Sequence, residues 1–193
     1  NLSDYDKKDS ELIYYSSVEE AILNSPLNTE NEEFSVPEDF LNHVDEILHI
    51  WNGKQYDTIF YRAGSDNDPV QGFVMARCKK QVEEATVQYA FMNATPVTTK
   101  ADSILISDIT ELIHSSLKLS DFQQDLNPNY PDTRFVFGYA HDKEIYSLEV
   151  EGQKPDGVIE INVYDRTMYL WYYDDLKSDK RGNNLSYSVD MPE

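Results

Sequence analysis

Alternation of apolar and polar residues dominates the stretch from Arg134 to Asp174. Successive side chains of a β-strand point to opposite faces, so this alternation is typical of strands with one buried face. The pattern predicts four short strands, at residues 134–140, 145–150, 158–164 and 167–173. The connections are short and contain turn-forming residues, which favours antiparallel pairing because a parallel pair needs a long crossover. We therefore predict an antiparallel meander.

The last of these strands places three aromatic side chains on its second face. They are Tyr169, Trp171 and Tyr173. If they are exposed, they form a platform on which a ligand or a partner can bind. We favour the alternative, in which a second layer or a cross-strand ladder covers them, because aromatic pairs are ordinary stabilisers of sheets.

Four β-rich segments earlier in the chain predict another meander. They lie at residues 46–51, 55–62, 72–79 and 85–92. The first segment has two interpretations. Helical spacing from Phe40 to Trp51 would make Asn52-Gly53 the end of a helix. A strand would make the same dipeptide a type I′ hairpin turn, and we favour the strand.

A short helix is predicted within Glu11–Ser25. Ser17 and Glu20 have the S-x-x-E spacing of a capping box, in which each side chain bonds a free backbone N–H of the first turn. Apolar residues follow directly, and Pro26 ends the helix.

A central helix is predicted to begin after Ser107 and Asp108, which are both N-cap candidates. Apolar or small side chains then recur at three- and four-residue spacing, which gives a single stripe facing a core. The stripe consists of Ile109, Leu112, Ile113, Ser116 and Leu117. We predict a loop at Leu119–Asp132, which contains Asn127-Pro128 and Pro131.

Helices and antiparallel strands are segregated in runs along the chain, which predicts an α+β fold. Its antiparallel sheet or sheets consist of the two meanders, with one N-terminal helix and one central helix. A length of 193 residues suits one domain, which we place at 11–193. A subdivision into 11–94 and 95–193 stays open. Residues 1–10 are polar and are predicted to form a flexible tether.

The chain is strongly acidic, with 36 Asp and Glu against 16 Lys and Arg and a formal net charge of −20. This charge excludes nucleic acid as a partner, because affinity for phosphates comes from Lys and Arg. An anionic membrane surface is disfavoured for the same reason, whereas a cationic partner or Ca²⁺ is compatible. No apolar run is long enough to span a membrane. Acidic surface also keeps a protein soluble, which is the simpler explanation of the charge.

Catalytic motifs are missing from the sequence. It contains no G-x-S-x-G, no phosphate-binding glycine loop and no H-E-x-x-H. The four histidines, His43, His49, His114 and His141, have no zinc-ligand spacing. The single cysteine, Cys78, shares a predicted strand face with apolar residues, which favours an inert buried thiol over a nucleophile. The sequence therefore argues against an enzyme, and no cofactor is predicted.

Two groups of aspartates are candidates for a calcium site, because carboxylate oxygens are the ligands that Ca²⁺ prefers. They are Asp66 and Asp68, and then Asp174, Asp175 and Asp179. Neither group has the full spacing of a calcium-binding loop. A solvated turn is the interpretation that we favour for both groups.

Three parts of the chain resemble small secreted or lipid-anchored proteins of Gram-positive bacteria that have no assigned function. They are SSVEEAI at 16–22, the strands within 47–80, and FVFGYAHDKEIYSLEV with the strands that follow it to residue 174. The resemblance implies an extracytoplasmic address, behind a cleaved signal or a lipid anchor upstream of Asn1. Because the chain starts at Asn rather than Met, we expect a processed product. The resemblance implies no catalytic residues.

The expected function is therefore non-catalytic. The protein would bind a partner, a protein or another envelope component, or would have a structural role at the cell envelope. The alternative is an intracellular acidic inhibitor or immunity-type protein that blocks the basic surface of its partner.

Overall fold

The computed structural model describes residues 11–25, 40–64, 71–96, 108–125 and 134–191. Contacts within the chain divide it into two compact units, Asn1–Ser103 and Ile104–Glu193. The fold is α+β with antiparallel sheets, one helix near the start and one in the middle, which confirms the predicted fold class. The predicted tether at 1–10 lies outside the described residues.

The first unit is a five-stranded antiparallel sheet with a short helix. Its elements are β1 (Tyr14–Tyr15), α1 (Val18–Leu23), a 3-10 turn (Phe40–Asn42), β2 (Glu46–Asn52), β3 (Tyr56–Ala63), β4 (Gly72–Glu83) and β5 (Thr86–Pro96). The strands lie in the order β1-β5-β4-β3-β2. Strands β2 to β5 thus follow the chain as a meander, and β1 is added at the far edge.

Helix α1 begins at the predicted capping motif. The Ser17 hydroxyl accepts a hydrogen bond of 3.2 Å from the backbone N–H of Glu20. The Glu20 carboxylate does not return to Ser17. It accepts from the hydroxyl and the N–H of Ser16, at 2.8 and 3.3 Å. One half of the predicted capping box is therefore confirmed, and the other half is shifted by one residue.

The core of the first unit consists of the buried face of α1 and alternate residues of two strands. From α1 these are Val18, Ala21 and Ile22; from β3 and β4 they are Ile59, Tyr61, Ala63, Val74, Ala76 and Cys78. The spacing of two along each strand puts all six strand residues on one face of the sheet. Burial is therefore what selects the register of this sheet.

An ion pair lies on the same face of the sheet, next to the turn between β2 and β3. Asp57 on β3 is 2% exposed, and its Oδ1 lies 2.8 Å from the ammonium of Lys80 on β4. Lys80 also donates a hydrogen bond of 2.6 Å to the carbonyl oxygen of Gly53. The ammonium therefore links a buried carboxylate to the turn between β2 and β3.

The β2–β3 hairpin confirms the strand interpretation of residues 46–51, but its predicted turn is wrong. Asn52 is paired with Asp57, and the N–H of Gly53 donates to the carbonyl of Tyr56 at 2.9 Å. The tip is therefore Lys54-Gln55. A tip at Asn52-Gly53 would place Ile50 opposite Gln55, whereas the observed register places it opposite Ile59. Apolar pairing along the strands outweighs the local preference of Asn-Gly.

The second unit contains a long helix, a three-stranded sheet and a two-stranded sheet. Its elements are α2 (Ile109–Asp125), β6 (Val136–Ala140), a 3-10 helix (Lys143–Ser147), β7 (Glu149–Val150), β8 (Gly157–Val163), β9 (Arg166–Tyr173), a 3-10 turn (Gly182–Asn184) and β10 (Tyr187–Ser188). The strand orders are β6-β9-β8 and β10-β7, all antiparallel. Because β6 pairs with β9, the unit is not a simple meander.

The predicted strand at 145–150 is wrong over most of its length. Lys143–Ser147 is a 3-10 helix, and only Glu149–Val150 is extended. The buried residues Ile145 and Leu148 are three apart, which is the period of a 3-10 helix. The alternation at Tyr146, Leu148 and Val150 therefore overlaps a second pattern with a period of three, and that pattern determines the structure.

Helix α2 begins as predicted and ends later than predicted. The Asp108 carboxylate caps it by accepting from the N–H and the hydroxyl of Thr110, at 2.8 and 2.7 Å. These two hydrogen bonds hold the pKa of the Asp108 carboxyl below its ordinary value. The helix continues to Asp125, so the loop predicted from Leu119 is wrong in its first part. Ser107 lies outside the described residues.

The predicted stripe of α2 faces the core of the second unit. Ile109, Ile113 and Leu117 are buried together with Val136, Ala140, Trp171 and Tyr173 of β6 and β9. Gly138 lies opposite Trp171 in the register of these strands. A Cβ at Gly138 would lie 2.4 Å from Cζ2 of Trp171, so the glycine leaves the space that the indole ring occupies.

The chain after β9 folds back onto the turn that follows β7. The Glu151 carboxylate accepts hydrogen bonds from the hydroxyls of Ser178 and Ser186, at 2.8 and 2.5 Å, which lower its pKa. Strand β10 then pairs with β7. Two residues further on, the N–H of Asp190 donates to the Ser147 hydroxyl at 2.7 Å. These contacts bring the end of the described chain beside the 3-10 helix at Lys143–Ser147.

Candidate functional site

The aromatic face of β9 is largely part of the core. Trp171 is 0% exposed and Tyr173 is 2% exposed, and both lie in the cluster that α2 covers. The Tyr173 hydroxyl donates to the carbonyl of Gln153 at 2.8 Å and accepts from the N–H of Val150 at 3.2 Å. Burial raises the pKa of Tyr173 above its ordinary value. Tyr169 is half-buried, so no platform of three exposed rings exists on this strand.

One aspartate of the second calcium candidate has other partners, and the three do not form a metal site. Asp175 accepts a hydrogen bond of 2.9 Å from the N–H of Arg134 and contacts the ammonium of Lys177. The backbone N–H of Asp174 donates to the Asp156 carboxylate, and Asp179 is exposed. In the described part of the chain, no group of three His, Cys, Asp or Glu side chains could hold a metal ion. Asp66 and Asp68 lie outside the described residues.

Each unit contains two of the four histidines. His43 is 3.4 Å from Asp45, and His49 lies in β2. His114 is a half-buried residue of α2. His141 packs edge-on against the ring of Tyr139, with 5.9 Å between the ring centroids. Burial lowers the pKa of His141, with opposing contributions from the charges of Asp142 and Arg166.

Cys78 is a buried residue of the first core, with 0% of its surface exposed. Burial, together with the nearby Asp57 carboxylate, raises the pKa of its thiol to about 12. The thiolate is the reactive form of cysteine. This thiol is therefore protonated and shielded at neutral pH, which is the opposite of what a nucleophile needs.

We expect a thiol-specific reagent, such as 5,5′-dithiobis(2-nitrobenzoate), to leave native Cys78 unmodified at neutral and mildly alkaline pH. Labelling should become complete only in denaturant, where the same side chain is exposed. A Cys78→Ser variant gives the background of the assay. Labelling of the native chain at the rate of a free thiol would contradict the buried position.

An open cleft of about 520 Å³ lies in the second unit. The 3-10 helix, β8, β9 and the segment after β10 contribute its walls. The charged and aromatic residues that line it are Lys143, Glu144, Tyr146, Glu160, Tyr169 and Asp190. Two tyrosines and three acidic residues thus line one space, with a single lysine among them.

A tyrosine pair and a carboxylate that line the cleft are in contact with one another. The rings of Tyr146 and Tyr169 meet edge to face, with centroids 5.5 Å apart and planes at 76°. The Tyr146 hydroxyl donates a hydrogen bond of 2.7 Å to one oxygen of Glu160, which raises the pKa of the tyrosine. Glu160 and Tyr169 are cross-strand partners in β8 and β9. Two paired strands and the 3-10 helix therefore hold the three side chains together.

The rim of the cleft is held by Ser147. Its hydroxyl donates to the carbonyl of Glu144 at 2.6 Å and accepts from the N–H of Asp190 at 2.7 Å. These two bonds fix the end of the 3-10 helix and the segment that carries Asp190. Tyr146 lies between Glu144 and Ser147 in the sequence. It is 53% exposed although it is a large aromatic residue.

Of the predicted site residues that the structure describes, only Tyr169 lies in this cleft. The strand predicted at 145–150 would put Tyr146 on the same face as Leu148 and Val150, which are buried, whereas Tyr146 is exposed. The spacing of three between Ile145 and Leu148 was the available signal. It would have identified a 3-10 turn and directed Tyr146 away from the core.

Comparisons with models of protein families, with curated proteins and with solved structures find no match for this chain. No helix in the described part of the chain is long and apolar enough to cross a membrane.

Proposed function

We propose that this protein is a non-catalytic binding protein whose partner is positively charged, and that it acts outside the cytoplasm at the cell envelope. The observation that carries the proposal is the cleft of the second unit, which two tyrosines and three acidic residues line together. It is part of a chain with a formal net charge of −20.

The electrostatics support a cationic partner in two ways. The field of the whole chain attracts a basic surface from a distance and raises the association rate. Within the cleft, the carboxylates of Glu144, Glu160 and Asp190 outnumber the ammonium of Lys143. The net charge of the chain and the charge of the cleft are therefore both negative, and both favour a positively charged partner.

The second candidate function is an intracellular acidic inhibitor that covers a basic surface of its partner. The net charge favours it as much as the first candidate, since both bind a cation. The two candidate functions differ in the cellular location of the protein. Fractionation of cells that express the native gene separates them, because a purely cytosolic protein would exclude the envelope proposal and leave the inhibitor.

Binding to immobilised poly-L-lysine, measured by biolayer interferometry at low and high sodium chloride, tests the cationic partner. We expect binding that weakens with salt, because salt screens the charges on both sides. Poly-L-glutamate on the same surface should not bind. Binding to poly-L-lysine that is indifferent to salt, or that does not occur, would contradict the proposal.

A matched pair of variants separates the cleft from the overall charge. Glu160→Gln and Glu111→Gln each remove one carboxylate charge from an exposed position of the second unit. Glu111 lies on α2, in its first turn, and does not line the cleft. We expect Glu160→Gln to weaken binding by about threefold and Glu111→Gln to leave it nearly unchanged. Equal effects would assign the binding to the overall charge alone.

A further inference from the structure

The geometry of the cleft points to a particular ligand group: the side-chain ammonium of a lysine, with its methylene stem against the rings of Tyr146 and Tyr169. This inference rests on the proposed function, because it names the group on a cationic partner that the cleft would take.

The tyrosine pair supplies the apolar part of the site. A cation is attracted to the negative face of an aromatic ring, and a lysine stem buries methylene groups against apolar surface. In an edge-to-face pair, one ring presents its edge to its neighbour, so the face of the other stays available on the open side. Tyr146 is 53% exposed, which leaves its surface accessible from solvent.

The carboxylates determine which kind of cation fits. Glu160 accepts from the Tyr146 hydroxyl through one oxygen, and its second oxygen is left as an acceptor for a ligand. Glu144 and Asp190 add further acceptors on the rim. A primary ammonium carries three N–H donors that match these acceptors. A quaternary ammonium has no donors, and it is typically held by a cage of several aromatic rings rather than by carboxylates.

Lys143 is one of the lining residues, and its positive charge repels a second cation. Replacing it by glutamine therefore makes the cleft more negative. We expect Lys143→Gln to strengthen binding of the ligand by about twofold. Weaker binding in this variant would overturn the inference, since it would mean that Lys143 helps to hold the ligand.

The test is a titration of the isotopically labelled full chain with N-acetyl-lysine methylamide, followed by NMR at constant ionic strength. We expect saturable shifts centred on the amides of Tyr146, Glu160 and Tyr169. Two comparison ligands separate the contributions of the methylene stem, the positive charge and the N–H donors. N-acetyl-norleucine methylamide has the stem without the charge, and tetramethylammonium has the charge without N–H donors. Both should bind at least about threefold more weakly than the lysine derivative.

Two substitutions at one position separate the ring from the hydroxyl. Tyr146→Phe keeps the ring and releases the Glu160 oxygen, so it should retain binding. Tyr146→Leu removes the ring and should weaken binding by about threefold. Because Tyr146 is half exposed, both variants are expected to fold, which the dispersion of the amide spectrum checks.

The outcomes distinguish this inference from the proposed function. Salt-sensitive binding to poly-L-lysine without any shift at the cleft residues would overturn the inference and leave the proposed function in place. If the chain neither binds poly-L-lysine nor shows shifts at the cleft residues, both the inference and the proposed function are overturned. Equal or tighter binding of tetramethylammonium would overturn the assignment to a primary ammonium.

Discussion

Replacing Gly138 by alanine is expected to lower the free energy of unfolding by about 3 kcal/mol, near the upper end of what overpacking a core typically costs. The added Cβ would lie 2.4 Å from Cζ2 of Trp171 and 2.5 Å from the hydroxyl oxygen of Ser116. Trp171 is 0% exposed and lies in the core cluster that α2 covers, so its ring has no free space to enter. The backbone is fixed as well, because Gly138 is paired with Trp171 across the strands.

Urea denaturation followed by circular dichroism measures this loss, and a second glycine provides the control. A Cβ at Gly157 would lie 2.4 Å from the hydroxyl oxygen of Tyr172, the far end of a half-buried side chain. That side chain can rotate away, so Gly157→Ala should cost less than about 1 kcal/mol. If the two variants lose the same stability, the close packing of Trp171 on Gly138 is not what sets the loss.

Replacing Lys80 by methionine is expected to cost about 3 kcal/mol, because it leaves the Asp57 carboxylate buried without its counter-charge. Methionine keeps most of the length of the lysine stem, so the change is mainly electrostatic. The Asp57 side chain is 4% exposed and that of Lys80 19%. This partial exposure places the expected loss at the lower end of the range for broken buried pairs.

The double variant Asp57→Asn with Lys80→Met tests whether the lost stability comes from the isolated charge. It should recover most of the loss, because an amide carries no charge to be compensated. Lys118→Met on α2 removes an exposed ammonium and is expected to change the stability by less than about 0.5 kcal/mol. A double variant that is no more stable than Lys80→Met alone would contradict this explanation.

The fold class and the helices were predictable because their signals are local. The cap at Ser17 and the stripe from Ile109 to Leu117 each depend on residues three or four apart, and the structure places them as predicted. The strands predicted at 158–164 and 167–173 likewise correspond to β8, which ends at Val163, and to β9.

Features that depend on distant residues were not predictable in the same way. The pairing of β6 with β9 joins segments about thirty residues apart in sequence, and alternation within a strand carries no information on its partner. The cleft combines Tyr146, Glu160 and Tyr169 from three elements with Asp190 from the segment after β10. No spacing along the chain links them, so only the folded arrangement reveals that they share a surface.

The distribution of tryptophan makes each half of this protein observable by itself. The chain has two tryptophans, with Trp51 in the first unit and Trp171 in the second, 6% and 0% exposed. Buried indoles emit at shorter wavelength than hydrated ones, so each reports the loss of its own surroundings. A chain that keeps only Trp51 and a chain that keeps only Trp171 would therefore give two independent unfolding curves. Coincident midpoints would show that the chain unfolds as one cooperative structure. Separate midpoints would show that the two units unfold independently.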